Sequence, residues 1–343
     1  MFLSFILSFL ILSCGGDWQF GYLSFIDSSI LDDELNEWIP DGFDVYGWED
    51  LQNDWFRYYK RAFTFRQSNE SSYPSIPYGS PYDYQLQPSL DGMVENGTFL
   101  LVFDQPHLFS LRQLFRKQTL DFRVKHNVSY MFVMANDMQR REAMHRLEQE
   151  AQLYHDILLF NHTNSYHNLA LSVLLSYHYL QSLQLPIKYV VKMDSDCTVN
   201  LPLLFSILYN TSSVYTEQYL YAGDCLQSRF NTRDRTQKNY VPPNLVQGDN
   251  LIQSYARGGL YVMTYNLLSP LLISTRHLPF LTHHEDANTG RAFNALGIGC
   301  MDLRKGHWIA RNGCYSRDSC RQYVVIHPHR YSSETRRYYS MIS

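Results

Sequence analysis

A chain of 343 residues, 45% hydrophobic and 15% aromatic, is long and apolar enough to bury one sizeable core and a smaller appendage, which excludes a disordered protein. Its 29 basic and 33 acidic residues leave a net charge of -4. With no dense Lys/Arg stripe to neutralise a phosphate backbone, nucleic acid is excluded as an expected partner.

The chain opens on an uninterrupted apolar stretch, Phe2 through Ser13, followed by Cys14-Gly15-Gly16. Small residues behind an apolar run are the pattern of a secretory h-region, and about a dozen residues fall short of the ~20 that span a bilayer. Residues 1–16 are therefore expected to be a signal peptide or a short signal-anchor. Asn-x-Ser/Thr acceptors for N-glycans at Asn69, Asn96, Asn127, Asn161 and Asn210 agree with a lumenal chain. Residues 17–95 are rich in Trp, Tyr, Phe and Asp without periodicity and pass into a Pro/Ser/Tyr linker over 67–90, so they read as a stem.

Residues 96–335 are expected to form the main domain, with 336–343 as a C-terminal tail. From Thr98 onward periodic segments alternate. A strand over Phe99–Phe103 precedes a helical patch at Leu108–Leu120. A strand over Ser129–Met134 precedes a polar helix at Met138–Tyr154. A short strand at Asp156–Phe160 leads to a long helix at Asn168–Leu183. Strands alternating with helices predict βαβ units and an α/β fold with a mostly parallel sheet flanked by helices. Without Cys14, five cysteines remain, enough for at most two disulfides and one spare thiol. Cys314 and Cys320 are spaced to staple a loop, and no Cys-x-x-Cys pair argues for zinc.

The apolar run Ile187-Lys188-Tyr189-Val190-Val191 ends in Lys192-Met193-Asp194-Ser195-Asp196, which sets two carboxylates at the end of a buried strand. Ligands of open α/β sheets bind just outside the carboxyl ends of the strands. Asp194 and Asp196 offer hard oxygens with coordination positions left open, which suits Mg²⁺ or Mn²⁺ carrying a diphosphate. By itself the pair also fits a solvated turn or a helix cap.

Further segments carry the wording of one family in order: Arg112-x-x-Phe-Arg116; Glu150 to Tyr154-His155-Asp156-Ile157-Leu158; Phe160 to Asn164-Ser165-Tyr166-His167-Asn168-Leu169; the Lys192–Asp196 segment; Lys238-Asn239-Tyr240-Val241; Tyr255 through Thr264 around Gly258-Gly259; and Glu285-Asp286-Ala287-Asn288-Thr289-Gly290, with Leu296-Gly297-Ile298 beyond. The chain resembles the inverting β-1,3-glycosyltransferases of the Golgi, galactosyl- and N-acetylglucosaminyltransferases with a GT-A fold of Rossmann type. The likeness covers roughly residues 98–330. Departures mark a divergent member: Gln118 and Thr119, Ser172, Ser195, Asn239, Leu260 and Ala287-Asn288-Thr289 stand where the family has other residues.

The resemblance implies transfer of a hexose or N-acetylhexosamine, galactose foremost, from a UDP-sugar donor to a glycan acceptor on a glycoprotein or glycolipid. It implies Mn²⁺ or Mg²⁺ on Asp194, Asp196 and His327, the last ending the apolar strand Val324-Val325-Ile326. Asp286 becomes the base that takes the acceptor's proton. Lys192, Asp194, Gly258, Gly259 and Glu285 become candidates for holding the donor, the glycines by letting backbone approach a ligand. The bland alternatives are a capped helix at Glu285-Asp286, a tight turn at the glycines, a structural hydrogen bond at His327, and solvation or pairing with Asp194 at Lys192. A lumenal pseudoenzyme that binds UDP or sugar without turnover, and a retaining transferase, are the other functional readings.

Overall fold

The computed structural model describes residues 9–14, 17–22, 84–89, 97–210, 219–229, 252–276, 284–302, 307–310, 313–327 and 332–342. Most of the expected stem, the Lys238–Val241 motif and the acceptor sites Asn69 and Asn96 lie outside them. Near the N-terminus β1 (Phe9–Cys14) pairs antiparallel with β2 (Asp17–Tyr22).

The main sheet has seven strands: β3 (Tyr84–Leu86), β4 (Thr98–Phe103), β5 (Val128–Asn136), β6 (Ile157–Thr163), β7 (Tyr189–Asp194), β9 (Tyr221–Arg229) and β10 (Ile252–Thr264). Their order across the sheet is β3-β6-β5-β4-β7-β10-β9. The central four are parallel, while β3 and β10 run against them at either side. This is the expected mixed, mostly parallel α/β sheet. Every residue of β4 is buried, as an interior strand covered on both faces requires. Alternate side chains feed two cores. Phe99, Leu101, Phe103, Met131 and Val190 point to one face and Leu100, Val102, Phe132, Val191 and Met193 to the other. Each such side chain contributes roughly 1.5–3 kcal/mol by leaving water.

Helices α1 (Phe109–His126) and α2 (Arg141–Tyr154) cover the second face through Phe115, Met144 and Leu147, together with α4 (Leu201–Asn210). Helix α3 (Leu169–Ser182) covers the first through Val173, Tyr177 and Leu180. The chain therefore steps outward from β4 to β5 to β6, then returns through α3 on the opposite face to β7 beside β4. The gap at the ends of β4 and β7 is the point where the strand order reverses, and crevices form there because neighbouring connections leave on opposite faces.

A smaller sheet places β12 (Val325–Ile326) between β11 (Ile309–Ala310) and β8 (Thr198–Val199). Helices α5 (Leu268–Arg276) and α6 (Glu285–Ala295) pack on the first face, and α6 lies close on β10 because a Cβ at Gly290 would overlap Tyr255. The disulfides are Cys225–Cys300 and Cys314–Cys320, with α7 (Arg317–Arg321) ending the second loop, and Cys197 is a buried free cysteine. Helix α8 (Ser332–Ile342) crosses the boundary expected between domain and tail and buries Tyr339. Among the described residues no helix is long and apolar enough to cross a membrane.

Candidate active site

Pairing of β4 with β7 sets Phe103 opposite Asp194, so both strands finish at one edge. Beyond it the chain turns, with Cys197 N–H donating to Asp194 O (3.1 Å), and β8 leaves for the smaller sheet. There Thr198 sits opposite Ile326, which carries His327 to the same place from the far end of the sequence. His327 Nε2 lies 3.5 Å from Asp196 Oδ1. Strand β10 runs antiparallel to β7 with Leu260 opposite Met193, so Gly258 and Gly259 pass the end of β7 as well. Helix α6 delivers Glu285 and Asp286 from its first turn.

Lys192 is wholly buried inside β7, and its ammonium donates to Asp194 Oδ1 (2.7 Å), Glu285 Oε1 (2.8 Å) and Gly258 O (2.5 Å). Three protons meet three acceptors, which is what a charge away from water demands. Burial alone would lower its pKa; Asp194 and Glu285 outweigh burial and hold it above the usual lysine range. Glu285 is pushed up to about 7 by burial, against the pull of Lys192 and with the repulsion of Asp286 and Asp194. Its other oxygen accepts from Tyr261 (3.0 Å), whose hydroxyl also meets Tyr177 (2.7 Å). A Cβ at Gly258 would overlap Glu285 Oε1, so this glycine makes room for the ion group itself.

Asp286 is half-buried. Its oxygens accept from Gly258 N–H (3.3 Å) and Ala287 N–H (2.8 Å), and burial raises its pKa against those bonds and Lys192. The helix begins at Glu285, with His284 at the cap position and no side-chain capping bond, so neither acid is the N-cap. Both still lie in the first turn, where negative charge is favoured. Arg257, before the glycine pair, meets Asp224 of β9 at 2.7 Å.

Asp196 keeps 38% of its side chain exposed. Its pKa is pushed up to about 7, first by burial and then by Asp194, with Lys192 opposing. Burial lowers the pKa of His327 against the attraction of Asp194, which favours the neutral imidazole that can bind a metal. Asp196 and His327 suit a divalent cation: Asp196 carries charge that costs energy as it stands and a ring nitrogen is beside it, while Asp194 is tied to Lys192 through Oδ1.

Two features received no role from the sequence, although most of their residues stand in the segments that carry the family wording. Tyr166, in a short helical turn before α3, has its phenol pushed up to about 12 by burial and by the charges of Asp286, Glu285 and Asp194, so it faces the acids. Behind the site lies a buried ion network. Asp104, just past β4, accepts from Ser195 Oγ (2.5 Å) and from Arg112 (2.6 Å). Arg112 and Arg116 share Glu150, and Arg116 also holds Asp156 at 2.8 Å. Arg112, Arg116, Glu150 and Asp156 all stand in segments that carry the family wording, but neither that wording nor the spacing of the arginines on one helical face names a partner.

The sequence model of the family described as galactosyltransferase matches residues 110–304, more than half of the chain. The chain belongs to that family. It is 30% identical to the beta-1,3-galactosyltransferase 1 of Homo sapiens and of Mus musculus over 182 residues, 53% of this chain and 54% of the relative. The lactosylceramide 1,3-N-acetyl-beta-D-glucosaminyltransferase of Rattus norvegicus is 23% identical over 178 residues, 51% of this chain and 47% of that one. The chain thus spans about half the length of the curated relatives it matches. Among solved structures, a glycosyltransferase involved in the glycosylation of the major capsid of PBCV-1 aligns with a TM-score of 0.38 and 10% identity, covering 71% of this chain and 99% of that chain.

Proposed function

We propose that the protein is a UDP-sugar-dependent hexosyltransferase that moves a hexose or N-acetylhexosamine, galactose foremost, onto a glycan hydroxyl in β-1,3 linkage with inversion at the anomeric carbon. The observation that supports the reading is the bridge that the Lys192 ammonium makes between Asp194 and Glu285 at the strand-order reversal, with Asp286 next to Glu285 and His327 3.5 Å from Asp196. Mn²⁺ or Mg²⁺ held by Asp194, Asp196 and His327 supplies Lewis acidity that neutralises the leaving diphosphate. Asp286 accepts the proton of the acceptor hydroxyl as its oxygen bonds to the anomeric carbon and the bond to UDP breaks. Asp286 suits this role better than Glu285, both of whose oxygens are engaged by Lys192 and Tyr261. Its raised pKa makes it a stronger proton acceptor than a solvated aspartate. Lys192, Gly258 and Glu285 fix the spacing between the two carboxylate groups.

The decisive assay incubates the protein with a panel of UDP-sugars, Mn²⁺ and glycan acceptors. Asp286→Asn should lower transfer by roughly 10²–10⁴-fold with donor affinity nearly unchanged. An almost normal rate in that variant would return Asp286 to helix stabilisation, and UDP binding without transfer or donor hydrolysis in the wild type would favour the pseudoenzyme reading. The apolar N-terminal run and the exposed acceptor residues Asn127 and Asn161 support a Golgi or other lumenal location.

A further inference from the structure

The group beside Asp196 contains a sulfur that the proposed reaction does not use. Cys197 is 1% exposed, and its Sγ lies 3.8 Å from Asp196 Oδ1 and 3.2 Å from Gly259 O. Asp196, Cys197 and His327 each offer a ligand atom within 4.8 Å of the other two. A tetrahedral ion with metal–oxygen and metal–nitrogen bonds of about 2.0 Å and a metal–sulfur bond of about 2.3 Å sets its O···N and O···S edges at roughly 3.3 and 3.5 Å. Two observed edges, 3.5 Å from Asp196 to His327 and 3.8 Å from Asp196 to Cys197, come within a few tenths of an ångström of those values, and the third, from His327 to Cys197, lies within 4.8 Å. Gly259 keeps the place open, since a Cβ there would press on Ile309 and on the His327 ring. Asp196 and His327, both partly exposed, give a cation its way in from solvent.

Resting on the metal-centre reading above, we propose that Cys197 joins Asp196 and His327 as a ligand of this centre, with Asp194 left to Lys192, and that it makes the site take a thiophilic divalent cation, Zn²⁺ or Cd²⁺, in competition with Mn²⁺. Hard cations prefer the oxygens and gain little from sulfur, whereas zinc binds a carboxylate, thiolate and imidazole set well and leaves a fourth position for water or a phosphate oxygen. The metal–sulfur bond replaces the S–H bond, and the proton passes to solvent. No zinc motif is legible in the sequence because His327 reaches Cys197 only through the pairing of β8 with β12.

The test uses the full chain carrying Cys14→Ser, which removes the other cysteine outside the two disulfides. Titration with Cd²⁺ should produce a one-to-one thiolate-to-metal charge-transfer band, and zinc-edge absorption of the zinc-loaded protein should show one sulfur at about 2.3 Å. Adding Cys197→Ser should abolish the band and weaken Cd²⁺ at least tenfold while leaving Mn²⁺ affinity within about twofold. Should that variant not fold, the sulfur scattering in the parent decides alone. Cd²⁺ that competes with Mn²⁺ without a band or sulfur neighbour overturns the role of Cys197 and leaves the centre standing. If Asp196→Asn and His327→Ala change the affinity of neither ion, the metal-centre reading has failed instead.

Discussion

Replacing Lys192 with methionine keeps the shape of the side chain and removes its charge, which isolates what the ammonium does. Three acceptors would lose their donor: Asp194 Oδ1, Glu285 Oε1 and Gly258 O. Glu285 is 5% exposed, so water cannot replace the lost bond. Breaking a buried ion pair by deleting one partner costs roughly 3–5 kcal/mol. At about 2–4 °C per kcal/mol for a domain of this size, the melting temperature should fall by roughly 6–20 °C. The loss should depend on pH with a definite sign. The folded pKa of Glu285 is raised to about 7, above its unfolded value, so its carboxyl favours the fold while protonated and withdraws that support as pH rises through about 7. Without Lys192 the penalty on the carboxylate grows, so the variant should fall further behind the wild type at about pH 7.5 than at about pH 5. Lys192→Met combined with Glu285→Gln should be more stable than Lys192→Met alone, because the second change removes the orphaned charge. Thermal melts followed by circular dichroism at both pH values measure all of this. A neutral-pH melt within about 2 °C of wild type, or a double variant weaker than the single one, would refute the assignment of the ion group as the support of the site.

Asp196→Ala should abolish Mn²⁺-dependent UDP binding in calorimetry while the melt moves little, since this partly exposed side chain contributes little core burial; unchanged affinity would remove Asp196 from the centre. Asp104→Ala should cost about 2–3 kcal/mol, below the loss for a fully orphaned charge because Glu150 still holds Arg112. By releasing Ser195 it should also weaken Mn²⁺ severalfold, and full Mn²⁺ affinity in a folded variant would show that the Asp194–Asp196 turn stands without it. Expressed in a eukaryotic host, the protein should shift in mobility on endoglycosidase treatment, and an unglycosylated cytosolic product would contradict a lumenal location.

The central strands were legible in the sequence because interior parallel strands must be continuously apolar and the helices between them carry a different period. Thr98–Phe103, Val128–Asn136, Ile157–Thr163 and Tyr189–Asp194 fall within a few residues of their expected places. Helix ends drifted more. The helix expected over Leu108–Leu120 runs on to His126, where Asn127 ends it at φ 55° in the left-handed region that Asn tolerates. Strand β10 gave no strand pattern of its own, because Arg257-Gly258-Gly259 interrupts its alternation. Its extended form depends on β7 on one side and β9 on the other.

For the site, local sequence determined which acids stand at a strand end and which open a helix, since Asp194, Asp196, Glu285 and Asp286 are placed by their own elements. Everything that gives those acids their chemistry was decided by the tertiary structure. Lys192 reads as a strand-end lysine until β10 and α6 surround it with acceptors. His327 and Cys197 become neighbours only through the small sheet. Arg112 finds Asp104, Glu150 and through it Arg116 and Asp156 only when α1 packs on β5 and faces Glu150 of α2. A side chain's type and local period are written in its own segment, but its partners, burial and pKa depend on segments far along the chain, and only folding brings those within bonding distance.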